Sequence, residues 1–385
     1  MTSTIVSSTK VPFTILTIVS LILLEGFLIT NGAFFGILLP AWSGKSADGK
    51  PFYRVYTGLP IVDEILIMPV AYWRGVIGTT PILHLQAAML CASLQAFPVW
   101  AGIEQMRKGN KHAILRWSFI YAFCWQYVGV AILMPYYFYV ELSHHFNPKK
   151  PSNPCVSPLK AKTLLPCAII VGLGLYRMLF FPPAEVSESQ HFLFNAYFHL
   201  SSILTFGLTC AVCGAMESNS NKGARETDEH SDLPWIKRTY AFFGVFAGIV
   251  HLIILLYAWM STDASISPEQ LLVPRFSKIW RADRAERLYV EETLFFDQWD
   301  FILIVLQCAL YTSRILEVMY CKENKEWSSM KRSGVVIVVG IACTILSPGL
   351  VVSGALYIRE DFLRRRFKAA QRQDMLQITA DKVKE

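Results

Sequence analysis

Charge is scarce in this chain. Only 17% of its 385 residues are charged, while 53% are hydrophobic; soluble domains usually carry about 25% charged residues. The apolar excess collects in long blocks with short polar connections. That distribution excludes a disordered chain, a fibrous protein and a disulfide-stapled secreted domain. Several chemical signatures are also missing. There is no Walker A or G-x-G-x-x-G loop, no H-E-x-x-H and no G-x-S-x-G, so nucleotide-loop, zincin and nucleophile-elbow readings have no support. There is no DDxxD or NDxxD cluster to hold Mg²⁺ and a diphosphate, which disfavours metal-driven diphosphate ionisation and intramembrane prenyl transfer. No N-x-[ST] sequon, internal repeat or low-complexity segment occurs. The missing repeat, with no sign of discontinuous helix pairs, argues against a transporter built from inverted halves.

What is present is a series of stretches long enough to cross a bilayer as helices, about twenty residues each. Eight are expected: Val11 to Leu39, Pro81 to Ile103, Ala113 to Val140, Thr163 to Phe181, Phe192 to Ala215, Trp235 to Met260, Leu294 to Met319 and Gly334 to Tyr357. The fold class is therefore all-α: a polytopic integral membrane helical bundle of about eight transmembrane helices, in a single domain, with a basic tail over 358–385. The first stretch is too long for a cleavable signal peptide. Ser231-Asp232-Leu233-Pro234 reads as a cap with proline opening the sixth stretch, and Asn147-Pro148 and Asn153-Pro154 read as turns.

The net charge of +7 suggests nucleic acid at first sight. Much of it lies in Arg364, Arg365, Arg366 and Lys368, just past the last apolar block, where basic residues flank membrane spans and meet anionic lipid. No nucleic-acid partner is expected. An even number of spans puts both termini on one side, and the short basic turn Arg107-Lys108-Gly109-Asn110-Lys111 favours the cytosol for that side. Nine cysteines include one C-x-x-C, Cys210 and Cys213. Within an apolar helical run and without a second pair, they read as small interface residues.

Ionisable groups at membrane depth cost roughly 2.5–3.5 kcal/mol each on insertion scales, so they mark function by default. Glu25 sits near the middle of the first stretch among leucine and phenylalanine, where burial of an anion is unfavourable and a neutral, proton-donating acid is expected. A cross-helix hydrogen bond is its structural alternative. Asp63 and Glu64 follow Pro60 in the first turn of a short helix, where the dipole favours acids. Because the apolar segment Ile65 to Trp73 comes next, Asp63 is expected at the mouth of a membrane pocket. Asp297 and Asp300 open the seventh stretch three residues apart, on one helix face. Asp297 reads as an interfacial cap, and Asp300 as the deeper, functional residue. Arg314 and Glu317 read as an intrahelical pair.

Gln126, Pro135 and Tyr136-Tyr137-Phe138-Tyr139 lie in the third stretch, Asn195 and His199 four apart in the fifth, and His251 in the sixth. Each alone is helix-packing glue. With 13% aromatic residues, they suggest a cavity walled by rings, whose faces stabilise cations. The interfacial belt is the alternative. Acid–base chemistry on an apolar substrate and proton-coupled transport both remain open here.

The chain resembles the fungal membrane-bound terpene cyclases of meroterpenoid biosynthesis, in the branch that gives ascochlorin, ascofuranone and macrophorin-type products. Four stretches carry the likeness: Gly58-Leu59-Pro60-Ile61-Val62-Asp63; Glu104-Gln105-Met106-Arg107-Lys108-Gly109-Asn110; Gln126-Tyr127-Val128-Gly129-Val130 with Pro135-Tyr136-Tyr137; and Ser347-Pro348-Gly349 with Arg359-Glu360. Tyr136 stands where leucine fits the pattern better. The resemblance implies an enzyme in the endoplasmic reticulum membrane that needs neither cofactor nor metal. Its substrate would be a hydrophobic prenylated molecule with a linear farnesyl chain on an aromatic or polyketide-derived head. Protonation of a terminal epoxide or alkene would start closure, and deprotonation or hydroxyl trapping would end it. By analogy Asp63 or Glu25 is the acid and Asp300 its partner. Gln126, Tyr136, Asn195, His199 and His251 are the expected substrate contacts.

Overall fold

The computed structural model describes residues 8–45, 51–77, 80–146, 151–219, 231–280, 285–321 and 327–382. The expected Asn147-Pro148 turn lies outside them. The described residues are helical apart from connecting turns and two isolated bridges.

Proline opens several of these helices. Its missing N–H is no loss in a first turn, and its fixed φ suits a helix start. In chain order the long elements are α1 (Lys10–Thr30), α2 (Ala33–Trp42), α3 (Pro60–Val76), α4 (Pro81–Met106), α5 (Ser118–Val128), α6 (Val130–His145), α7 (Pro158–Phe180), α8 (Glu188–His199), α9 (Ser201–Asn219), α10 (Leu233–Met260), α11 (Ala285–Tyr320), α12 (Ser329–Leu346) and α13 (Pro348–Lys382). Six of them are long and apolar enough to cross a membrane, namely α1, α4, α7, α10, α11 and α12. The α8–α9 pair makes a seventh if counted as one span, although it bends by 73°.

The eight apolar stretches therefore appear, but four are broken. The first divides at Gly32, whose φ of 83° is a left-handed conformation suited to glycine. The third divides at Gly129, with φ 90° and ψ 134°, into α5 and α6. The fifth bends between His199 and Ser201. The eighth ends at Ser347, at φ 100°, and continues as the charged α13. Discontinuous helices are thus present, contrary to the reading of the sequence. Single apolar periods do not reveal them, because a one-residue break leaves hydropathy almost unchanged.

Small residues let the central helices approach closely. A Cβ on Gly244 would lie 2.7 Å from Ser353 Cβ, and one on Gly349 would lie 2.7 Å from Ala247 Cβ. Across this seam Trp100 Nε1 donates to Ser353 Oγ at 3.0 Å, and the hydroxyls of Ser93 and Ser347 meet at 2.9 Å. Neither cysteine of the C-x-x-C is in a disulfide; Cys213 is buried, as expected of an interface residue, but Cys210 is exposed, one position off the packed face of α9. Asp232 does not cap α10 with its side chain. It receives both terminal nitrogens of Arg364, at 2.8 and 2.7 Å. That part of the basic run is buried in protein and does not face lipid.

Candidate active site

α1, α2, α3, α4, α5, α6 and α11 surround a cavity. Its walls include Phe34, Tyr72, Trp73, Trp125, Tyr127 and Phe296. Three carboxyls line it, those of Glu25, Asp297 and Asp300, and its lining contains no Lys, Arg or His.

Each carboxyl is placed by a local backbone device. Glu25 lies in a π-turn, Ile22–Gly26, inside α1. One extra residue per turn rotates its side chain relative to a regular helix, and such bulges are frequent at functional sites. Among the described residues none hydrogen-bonds the Glu25 carboxyl. Asp300 is 4% exposed and accepts from the backbone N–H of Ala131 at 3.1 Å. That amide is free because Gly129 breaks the chain and α6 starts afresh, leaving its first N–H groups without intrahelical partners. The partial positive end of α6 thus faces Asp300. Asp297, one turn earlier on the same face, is 1% exposed. Tyr72 Oη donates to its Oδ1 at 2.8 Å, and its Oδ2 has no partner among the described residues. Carboxyls that share a dry cavity without a cation do not all ionise together.

The structure thus brings Glu25, Asp300 and Gln126 to one cavity. Asp297 joins them, although the sequence reading took it as an interfacial cap. The apolar window begins only at Leu294, whereas α11 begins at Ala285, so Asp297 is well inside a buried helix. Its one-turn spacing to Asp300 was the available signal.

Asp63 is elsewhere. It is 6% exposed and accepts from Thr57 N at 2.7 Å, Thr57 Oγ1 at 2.7 Å and Gly58 N at 3.1 Å, so it fastens the turn that leads into α3. Burial acts to raise its carboxyl, but these hydrogen bonds outweigh it and hold the group below its ordinary value. Tyr136 is 49% exposed and outside the cavity lining. His251 bonds Thr344 O at 2.8 Å and stacks on Phe301, also outside the lining. Asn195 and His199 stand behind Gln126. His199 Nδ1 is 3.1 Å from Gln126 Oε1, His199 Nε2 is 3.1 Å from Asn195 Oδ1, and Asn195 Nδ2 donates to Val70 O at 3.2 Å.

A second polar assembly has the donor types of a metal site. Ligand atoms of Glu104, Glu141 and His145 lie within 4.8 Å of one another. All their carboxylate oxygens are already engaged. Glu104 receives Arg359 at 2.9 Å, Arg107 at 2.9 Å and His145 at 2.5 Å. Glu141 receives Arg359 and, at 2.7 Å, Tyr311 Oη. Glu360 receives Arg107 on both oxygens. A dication would sit against two guanidinium groups, so these residues do not fit a metal. They form a buried ion lattice that ties the ends of α4 and α6 to α11 and α13. The intrahelical pair Arg314–Glu317 forms as expected, at 2.7 Å, and Arg332 joins it at 2.6 Å.

Comparison with known proteins adds to this geometry. Residues 13–364 match the CtvD domain. The chain is 25% identical over 364 residues to "Terpene cyclase DEP1" of Fusarium langsethiae, covering 88% of this chain and 94% of that protein. It is 24% identical over 343 residues to "Terpene cyclase DEP1" of Alternaria brassicicola, covering 81% and 88%. It is 23% identical over 268 residues to "Terpene cyclase ascI" of Acremonium egyptiacum, covering 68% and 67%. No solved structure matches.

Proposed function

The chain belongs to the CtvD domain family of fungal terpene cyclases, and from that premise we propose that its cavity closes a linear farnesyl chain by proton-initiated cyclisation. The observation that carries the reading is the set of three carboxyls on one aromatic-walled cavity whose lining holds no basic residue. In this reading Glu25 is the acid. With no hydrogen bond from the described residues to favour its anion, it keeps its proton until a substrate oxygen or alkene meets it. Asp300, whose oxygen accepts the Ala131 amide, is the anion that faces developing positive charge and takes the final proton. Asp297, steadied by Tyr72, completes the pair on α11.

The steps balance. The Glu25 proton passes to the terminal epoxide oxygen, the C–O bond opens, and a neighbouring double bond supplies the electron pair that forms a ring bond. The cation moves to the next tertiary carbon, beside aromatic faces. A carbon next to the last cation loses its proton to Asp300, or an internal hydroxyl traps that cation and gives up its own proton to Asp300. The proton then returns to Glu25. The substrate is a hydrophobic molecule carrying the farnesyl chain on an aromatic or polyketide-derived head. The reaction needs no metal, and it takes place in the endoplasmic reticulum membrane with both termini in the cytosol.

Microsomes bearing the protein should convert a linear farnesylated phenol epoxide into a ring product, with or without EDTA. Glu25→Gln and Asp300→Asn should express normally and turn over poorly. Normal turnover by the double variant would overturn the assignment. The broken helices supply one observation for a second reading, a proton-coupled carrier, since such breaks line transporter sites. A carrier would move an unchanged solute in proportion to the pH gradient, whereas a cyclase is indifferent to that gradient.

A further inference from the structure

The chain of groups behind Gln126 fixes which end of its carboxamide meets the substrate. The backbone carbonyl of Val70 only accepts, so Asn195 must present Nδ2 to it. Asn195 Oδ1 then faces His199 and requires a hydrogen on Nε2. His199 is fully buried and, among the described residues, contacts no carboxylate. A second ring proton would be a buried charge without a counter-ion, so Nδ1 keeps its lone pair and accepts. The structure sets Gln126 Oε1 3.1 Å from Nδ1; two lone pairs cannot share that contact, so the carboxamide must be turned over about its Cγ–Cδ bond to bring its NH₂ group to the ring. Turned in this way, the carboxamide directs its oxygen to the cavity that Gln126 lines.

We infer that Gln126 is a specificity-determining residue: its carbonyl oxygen accepts a hydrogen bond from a hydroxyl on the polar head of the substrate, while Asn195 and His199 are positioning residues that hold it in that sense. The inference rests on the cyclase reading and adds a chemical preference to it. A head that carries an O–H donor is favoured, and one with only a carbonyl or ether oxygen at that place binds more weakly. A freely turning carboxamide would accept either kind of head. The anchored one disfavours the group that lacks a donor, because its own oxygen is then left buried and unpaired.

The test compares two probes, a farnesylated phenol epoxide with a free hydroxyl and its O-methyl ether, which keeps the acceptor and loses the donor. The wild-type protein should cyclise both, with KM for the ether raised by about 10-fold, the worth of one hydrogen bond. Gln126→Leu should raise KM for the phenol to that of the ether and leave kcat within a few-fold. His199→Phe, which removes the anchor and keeps an aromatic ring, should shrink the discrimination in the same way. An ether penalty that survives in Gln126→Leu is one of bulk and overturns the inference, as does equal KM for both probes in the wild type. If the leucine variant does not fold, the ¹⁵N spectrum of His199 in detergent decides. A neutral ring protonated on Nε2 supports the inference, and a ring protonated on Nδ1 overturns it. If the wild-type protein cyclises neither probe, the cyclase reading itself fails and this inference falls with it.

Discussion

Alanine at Gly129 tests the coupling between the helix break and Asp300. Gly129 stands at φ 90° and ψ 134°, where L side chains rarely go. A Cβ there would lie 3.5 Å from Ile132 Cδ1 and 3.8 Å from Leu24 Cδ1. Both are ordinary contacts, so crowding contributes little and the cost is backbone strain, about 1–3 kcal/mol. Two responses are open. If the break keeps its shape, the whole strain appears as lost stability. If the backbone relaxes, Val130 and Ala131 move and the Ala131 N–H leaves Asp300. A hydrogen bond to a charged group is worth about 1.5–3 kcal/mol, so turnover would fall roughly 10- to 150-fold. Thermal unfolding in detergent and turnover of the farnesylated epoxide, measured on one preparation, separate the two responses. Gly102→Ala is the control. It lies within α4 with nothing within 4 Å of a new Cβ, and should be neutral or gain about 0.5–1 kcal/mol. If Gly129→Ala matched the wild type in both measurements, the break would have no part in holding Asp300.

Further outcomes follow from other contacts. Tyr72→Phe keeps the ring and removes the 2.8 Å bond to Asp297; turnover should fall about 10-fold or more with little change in melting temperature, and unchanged turnover would remove Asp297 from the chemistry. Asp63→Asn should lower stability by about 1–3 kcal/mol and leave kcat alone; a selective loss of kcat would restore Asp63 as a candidate acid. Because the folded carboxyl of Asp63 is held below its ordinary value, its contribution to stability is present above the unfolded pKa of about 3.9 and is lost as pH falls through the folded value. Acid unfolding should therefore flatten at low pH in Asp63→Asn relative to the wild type. Arg359→Met leaves Glu104 and Glu141 short of a cation and should cost about 3–5 kcal/mol, read as lost expression or a lower unfolding temperature.

The sequence carried much of this structure, and the residues that escaped it share a cause. Span positions follow from hydropathy, which sums over many residues. Breaks at Gly129 and Ser347 depend on one residue each, and only a backbone angle reveals them. Glu25 and Asp300 stood out because they interrupt apolar runs. Asp297 did not, because it lies where the apolar run begins, although the helix starts well before it. Asp63 looked functional beside an apolar segment, but its partners Thr57 and Gly58 precede it by only a few residues and use its carboxylate fully. The ion lattice was out of reach altogether, since it joins Glu104 to Arg359 across 255 positions.

The amide that meets Asp300 belongs to the main chain, and this affects how the site can change over generations. No substitution at position 131, proline apart, deletes that donor. Val130, beside the break, lines the cavity and can vary its contour while the anchor on the carboxylate persists. A lineage can therefore drift toward new ring patterns through single replacements here without passing through an inactive ancestor. Libraries that randomise Val130, and leave Gly129 untouched, should retain a high share of active members with altered products.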